Sequence, residues 1–352
     1  MNRYLSKQIE VLDPYTPGEQ PQDQQYIKLN TNENPYPPSP TIASVLQNYG
    51  IDQLRRYPDP ESTGLIKSLA AYLDLEASQI FVGNGSDEVL AHAFQAFFRQ
   101  DYPILFPDIS YSFYPVYCKL FQIDYRQPAL DQEFCINIRD YASANGGIII
   151  PNPNAPTGIA LATGSIRELL ADNPESVIVI DEAYVDYGAE SAIQLIPEFP
   201  NLLVVQTFSK SRGLAGLRLG YALGQENLIA ALQRVKNSFN SYPVNSLTSA
   251  VAKASIADED YFQQCRSQVI ASRERLSKDL LQLGFEVFPS SSNFVFVRHT
   301  GTAAETLYHE LKSAGILVRY FKSARIDNCL RISVGSDPEC DALVSALKNI
   351  LY

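Results

Sequence analysis

An α/β fold, with a large sheet-centred unit followed by a smaller α+β unit, is what the 352-residue sequence predicts. Three observations carry that expectation. Short, almost wholly apolar runs at residues 148–150, 177–180 and 202–205 lack polar alternation, as strands buried on both faces do. Helical patterns such as residues 163–170 separate some of these runs, the alternation of a sheet covered by helices. Beyond Gly224 the spacing turns helical, and residues 285–352 then mix short strands with helices.

Bulk properties narrow the function. The length suits one large and one smaller domain, and 45% hydrophobic with 19% charged residues is ordinary globular composition. A net charge of −11, from 39 acidic against 28 basic side chains, argues against nucleic acid or an anionic membrane as main partner. A local arginine cluster can still bind a small anion. No run approaches the ~20 apolar residues of a membrane span, and the opening MNRYLSKQIEVLDPY has no apolar signal core. Five cysteines, at 118, 135, 265, 329 and 340, form no CxxC pair and read as thiols of a reducing cytoplasm. The scattered His92, His299 and His309 predict no metal site.

Taken in order, residues 1–44 form a proline-rich polar segment that cannot pack a core, so it is either disordered or an arm lying on something else. Tyr26, Ile27 and Leu29 could add a short strand, and Asn32-Glu33-Asn34-Pro35 is a dense turn motif, which favours the arm. The large domain is expected over 45–258. There Ser62 is a predicted N-cap for an amphipathic helix with Leu65, Ile66, Leu69, Tyr72 and Leu73 on its apolar face. A strand at 79–82 runs into Gly83-Asn84-Gly85-Ser86-Asp87-Glu88 and a helix with Val89, Leu90, Ala93, Phe94 and Phe97 inward. Such a strand–glycine loop–helix unit is an anion site, because first-turn amides and the helix dipole both favour negative charge. Ser86 or Asp87 serving only as a helix cap is the plainer alternative. The run at 148–150 enters the rigid loop PNPNAPTG, and the run at 177–180 ends in Asp181-Glu182-Ala183-Tyr184. An acid directly after four β-branched residues needs a cationic or hydrogen-bonding partner. The run at 202–205 gives way to Thr207-Phe208-Ser209-Lys210, with Gly213, Gly216 and Gly220 following. Helices are predicted near 247–256 and 261–283, the second stopped by Gly284. The small domain, 259–352, has predicted strands near 294–297, 317–320 and 330–334 and helices near 303–314 and 337–351.

Loops that follow the strands of one α/β sheet lie along the same edge. That edge would gather the Gly85-Ser86-Asp87 loop, the aromatics Tyr111, Phe113 and Tyr114, the Asn154 loop, Asp181, Lys210 and Arg218. A phosphate cradle, an aromatic face, an acid and an amine together suit pyridoxal 5'-phosphate: its aldehyde needs a lysine, its ring nitrogen an acid, its phosphate a helix N-terminus.

The strings GNGSDE, PNPNAPTG, DEAYVDY, TFSKSRGLAGLRLGY and CLRISVG, in this order, resemble the fold-type I, class II aminotransferases, and within them the histidinol-phosphate aminotransferases. The resemblance runs from LNTNENP to CLRISVG. It implies a mostly parallel seven-stranded sheet in the large domain, with Lys210 as the Schiff-base lysine and general base, Asp181 on the pyridine nitrogen and Tyr184 on the 3′ oxygen. It further implies Ser209, Arg218 and the amides of Ser86 and Asp87 on the phosphate, Tyr111 stacked on the ring, and Tyr57 reaching the phosphate of a neighbouring subunit in a homodimer with shared sites. The family reads NNPTG where this chain has Ala155, so either Asn154 reaches the 3′ oxygen or Tyr184 serves it alone. Arg331 matches the arginine that grips the substrate's anionic end and Arg319 a second one, with Tyr15 and Asn32 from the arm completing the substrate site. The implied reaction is amino transfer between L-histidinol phosphate and 2-oxoglutarate. An aromatic amino acid aminotransferase, a threonine-phosphate decarboxylase and a non-catalytic sensor are the competing readings.

Overall fold

The computed structural model describes residues 3–6, 8–99 and 101–352. Met1, Asn2 and Lys7, within the opening stretch read above for a signal core, lie outside them. The arm does form a strand, β1 (Ile27–Lys28), before helices α1 (Thr41–Asn48) and α2 (Thr63–Leu73). Leu65, Ile66 and Leu69 of α2 are buried as their spacing predicts, whereas Tyr72 of the same face is exposed and Leu73 only partly buried. Ser62 stands at the start of α2 but does not cap it. Its backbone is left-handed, with φ of 49°, and the Asp59 carboxylate accepts the Thr63 amide instead at 2.8 Å.

Strand β2 (Ile80–Gly83) leads into α3 (Ser86–Phe97), followed by β3 (Ile104–Leu105), α4 (Tyr114–Phe121), β4 (Tyr125–Arg126) and β5 (Ile148–Pro151). Then come α5 (Thr163–Asp172), β6 (Ile178–Asp181), β7 (Leu202–Thr207), β8 (Gly220–Gly224) and α6 (Glu226–Phe239). These strands, β1 apart, make one seven-stranded sheet in the order β2-β8-β7-β6-β5-β3-β4. All its pairs are parallel except those β8 makes with β2 and β7. Alternation of side chains across the strands divides the core into two layers. Ile148, Ile150, Ile178, Ile180, Leu202 and Val204 pack on one face, while Ile149, Val179, Leu203 and Val205 pack on the other. Both faces are covered, which is why these strands read as unbroken apolar runs. The register sets Pro151 beside Asp181 and Asp181 beside Val205, so β5 and β6 end together and β7 runs two residues further.

Helices α7 (Ser246–Ala257) and α8 (Glu259–Gln282) lead to the smaller unit; α8 spans about 36 Å at the usual helical rise. Gly284, with φ of +84°, ends it as expected. The remaining elements are β9 (Phe285–Val287), β10 (Phe294–His299), α9 (Ala304–Ser313), β11 (Ile316–Leu317), β12 (Arg319–Tyr320), β13 (Leu330–Ser333) and α10 (Asp337–Leu351). An antiparallel sheet runs β12-β13-β10-β9. The single strand expected over 317–320 is two strands, because its halves bond to different partners: β11 pairs in parallel with β1 of the arm, and β12 pairs with β13. Leu29 of the arm is buried in this unit's core with Val295, Val318 and Ile332.

Candidate active site

A cavity of about 230 Å³ opens where the carboxyl ends of β5, β6 and β7 meet the arm and the small sheet. Its wall carries Lys210, Arg218, Arg319 and Arg331 against only Asp87 and Asp181, an excess of two positive charges in a chain of net charge −11. The cavity is therefore an anion site by charge alone.

At one end lies the turn into α3. Gly85 has φ of +86°, and a Cβ there would run into the Arg218 guanidinium. Gly220 of β8 lies against the backbone of Gly85 and Ser86, where no side chain fits. Neither Ser86 nor Asp87 caps the helix: Gly85 holds the capping position without a side chain. The Asp87 carboxylate instead takes the Tyr111 hydroxyl at 3.0 Å and pairs with Arg218 at 3.0 Å. Arg218 reaches it from a left-handed residue, φ 53°. Burial, then the Asp87 charge, holds the Tyr111 phenol well above its ordinary range. Ser209 is buried on the cavity wall, its hydroxyl 3.0 Å from that of Thr207.

Asp181, the last residue of β6, is buried. Its Oδ2 accepts the Tyr114 hydroxyl at 2.8 Å, while its Oδ1 has no hydrogen-bond partner among the described residues. Burial pushes this carboxyl up to about 6, against the bonds from Tyr114 and the Ala183 amide. Lys210 follows β7, with Nζ donating to the Thr31 carbonyl at 3.3 Å and lying 5.5 Å from the Tyr184 ring centre. Its backbone is clamped by the arm, as Asn34 Nδ2 donates to the carbonyls of Lys210 and Ser211 at 3.1 and 2.9 Å. Tyr184 presents its hydroxyl to the cavity, where it accepts Asn32 Nδ2 at 3.0 Å. Asn32 is buried and left-handed, and its Oδ1 accepts the Ser333 hydroxyl.

At the other end Arg319 and Arg331 are direct cross-strand partners on β12 and β13. Like charges placed so repel, unless an anion joins them. Arg331 makes no ion pair among the described residues; its Nη2 donates to the Asn30 carbonyl at 2.9 Å and its Nε has no partner. Burial lowers its guanidinium below the ordinary value. Arg319 donates weakly to the carbonyls of Thr16 and Pro17. Tyr15 of the arm stacks on Phe113 at 4.9 Å and lines the cavity with Tyr111.

Two expected residues stand elsewhere. Asn154 does not reach the cavity wall, because its amide donates to the Ile109 carbonyl and the Thr157 hydroxyl at 3.0 and 3.1 Å. Tyr57 is 83% exposed and stacks on Tyr242, away from this chain's cavity. Sequence reasoning missed Thr31, Asn34, Thr207 and Phe321. Thr31 acts through its backbone carbonyl, which leaves no mark in the sequence. Asn34 sits in the turn motif that drew attention only as a turn.

An anion cradle, a buried acid and an amine at one sheet edge define a site for a phosphate-bearing, carbonyl-type cofactor. The family model described as aminotransferase class I and II matches residues 24–347. The Bradyrhizobium diazoefficiens protein named histidinol-phosphate aminotransferase 1 is 53% identical over 351 residues, covering all of both chains. A Hydrogenovibrio crunogenus protein of the same name is 54% identical over all of this chain and 99% of its own. The crystal structure of histidinol-phosphate aminotransferase from Sinorhizobium meliloti in complex with pyridoxal-5'-phosphate shares the fold, with a TM-score of 0.90 at 24% identity over 100% of this chain and 98% of that one. The chain belongs to the class I and II aminotransferases and, among these, to the histidinol-phosphate aminotransferase family.

Proposed function

We propose that the protein transfers an amino group between L-histidinol phosphate and 2-oxoglutarate, giving imidazole acetol phosphate and L-glutamate in histidine biosynthesis, with pyridoxal 5'-phosphate as cofactor. The observation that carries the substrate reading is the Arg319–Arg331 pair, two adjacent guanidiniums with no carboxylate partner among the described residues, facing a cavity that also holds Lys210. One of the two substrates presents a phosphate there and the other a carboxylate, and two forks accommodate both.

The residues fit the cofactor. The unpartnered Asp181 Oδ1 is a buried acceptor that a protonated ring nitrogen would satisfy. The Ser86 and Asp87 amides, Ser209 and Arg218 would hold its phosphate, Tyr111 would flank its ring, and the Tyr184 hydroxyl would donate to its 3′ oxygen. When bound, the cofactor would supply an aldehyde carbon for the amine and a ring able to accept the electrons freed at Cα. Lys210 Nζ would take the proton from Cα and deliver it to the former aldehyde carbon, the reverse transfer occurring with the second substrate. Tyr15, Arg319 and Arg331 orient the substrate so that this proton faces Lys210.

A second copy supplies what this chain's own cavity lacks. Leu46, Ile51, Leu54 and Tyr57 are exposed along one stretch, and Tyr57 stacks on the half-exposed Tyr242 close to exposed Phe239. Such an apolar surface suits a homodimer in which Tyr57 serves the partner's phosphate site. No helix among the described residues is long and apolar enough to cross a membrane, and all five cysteines are unpaired, which suits the cytoplasm.

Purified protein loaded with pyridoxal phosphate should convert imidazole acetol phosphate only when glutamate is present. Absence of that conversion sinks the reading. Equal catalytic efficiency with phenylalanine would reassign it to aromatic amino acids, and carbon dioxide release from threonine phosphate to the decarboxylases.

A further inference from the structure

We infer that Tyr114 is the positioning residue of Asp181: its hydroxyl orients the carboxyl group and keeps it ionised, although it does not itself reach the cavity. The inference rests on the cofactor reading above.

Tyr114 begins α4 and is completely buried. Phe106 meets its ring edge-on at 5.7 Å, Tyr111 does so at 5.6 Å, and Phe94 lies tilted at 6.1 Å. Three aromatic neighbours hold the ring, so the hydroxyl is aimed at Asp181 Oδ2. With Oδ2 so engaged, Oδ1 is the oxygen left without a partner. The hydroxyl, together with the Ala183 amide, therefore helps to fix which way the carboxyl group is turned.

Its second effect is on charge. Lys210 is the cation that favours an ionised Asp181, and Asp87 on α3 opposes ionisation. Strands β5 and β7, which flank it, present no titratable side chain, and α4 presents the phenols of Tyr114 and Tyr117. The Tyr114 phenol is raised well above its ordinary range by burial and by Asp181, so it stays protonated and can only donate. A bond donated to a carboxylate favours the ionised form. An ionised Asp181 is the form that can hold a protonated ring nitrogen.

The test is Tyr114→Phe, which keeps the ring and removes one oxygen. Pyridoxal phosphate affinity is measured by equilibrium dialysis from pH 5.5 to pH 9, together with the acid limb of kcat/KM. In the holoenzyme the acid limb should move up by about one to two pH units, the worth of one hydrogen bond to a charged group. Affinity should drop about tenfold or more near neutral pH and return towards wild type at alkaline pH. Curves that stay parallel to wild type at every pH would mean that the hydroxyl only packs, and overturn the inference. A pH shift from Tyr114→Phe that persists in an Asp181→Asn background would overturn it as well, since no carboxyl group remains to be tuned. Wild-type protein that retains no cofactor at any pH would remove the functional reading itself, an outcome distinct from parallel curves.

Discussion

Removing the Arg331 guanidinium should separate substrate binding from cofactor binding. The side chain is partly buried, and its contacts are the Asn30 carbonyl and the Phe294 and Phe321 rings, with no phosphate-loop residue among them. Arg331→Leu should raise KM for histidinol phosphate and for glutamate by roughly 10- to 100-fold, the worth of one or two charged hydrogen bonds, and leave cofactor affinity within about twofold. Equal loss of both in a titration would contradict the assignment. Asn154→Ala should behave in the opposite way to a cofactor ligand. It removes two bonds that tie the loop to Ile109 and Thr157, so the melting temperature falls while the visible absorption maximum of the loaded enzyme stays in place. A displaced maximum would return Asn154 to the 3′ oxygen. At this scale the sequence was legible where the residue type betrays its chemistry, as with an aspartate closing an apolar strand or a lysine opening the next loop. It was not legible where the outcome depends on which way an amide turns, as at Asn154, or on a main-chain acceptor, as at Thr31.

Strand β8 and the first turn of α3 form one rigid joint, since Gly220 pairs with Gly83 and packs on the backbone of Gly85 and Ser86. Gly220→Ala would push a methyl group into main chain that cannot rotate away. The cost should be about 1–3 kcal/mol of stability, accompanied by weaker cofactor retention, both readable by denaturant titration and dialysis. Further along α3, His92 is buried with neither ring nitrogen partnered among the described residues, and burial followed by nearby Lys236 lowers its titration to about 4 from 6.5. Because the unfolded chain takes up this proton first, folding is penalised as pH falls from 6.5 towards 4. The penalty reaches on the order of 3 kcal/mol at the acid end. His92→Leu should flatten that part of the stability profile in urea melts; an unchanged slope would show that other groups set it. Strands with apolar runs could be read from the sequence. Strand β8, written GYALG, could not, because terminal glycines resemble a loop until the close approach they permit is seen.

For the molecule as a whole, the arm joins the two units. Asp13 pairs with Lys119 on α4, and Glu19 meets Lys312 and Tyr308 on α9. Between those anchors, Tyr15, Pro17 and Gly18 line the cavity, with Gln20 just beyond. Deleting residues 3–22 should raise KM for both substrates several-fold, with much less effect on cofactor affinity, because no phosphate-side residue belongs to the arm; steady-state kinetics beside dialysis would decide. Composition left the first forty residues open between disorder and an arm, and only pairing with a strand nearly 300 residues away resolves that choice. The large sheet, by contrast, was legible from apolar runs and the family resemblance, since a doubly covered sheet leaves its signature in its central strands.

That distant pairing has a consequence for how the protein is made. Ile27 and Lys28 leave the ribosome well before their partners Ile316 and Leu317, which follow 289 positions later, taking 316 less 27. At ordinary elongation rates the interval is roughly 15–60 seconds. During it the seven-stranded sheet can assemble, whereas Leu29 has no core to enter and the carbonyl of Asn30 has no Arg331 to receive. The nascent enzyme can thus own a finished phosphate cradle and lysine before it owns a substrate pocket, which closes only once β11 and Arg331 have emerged.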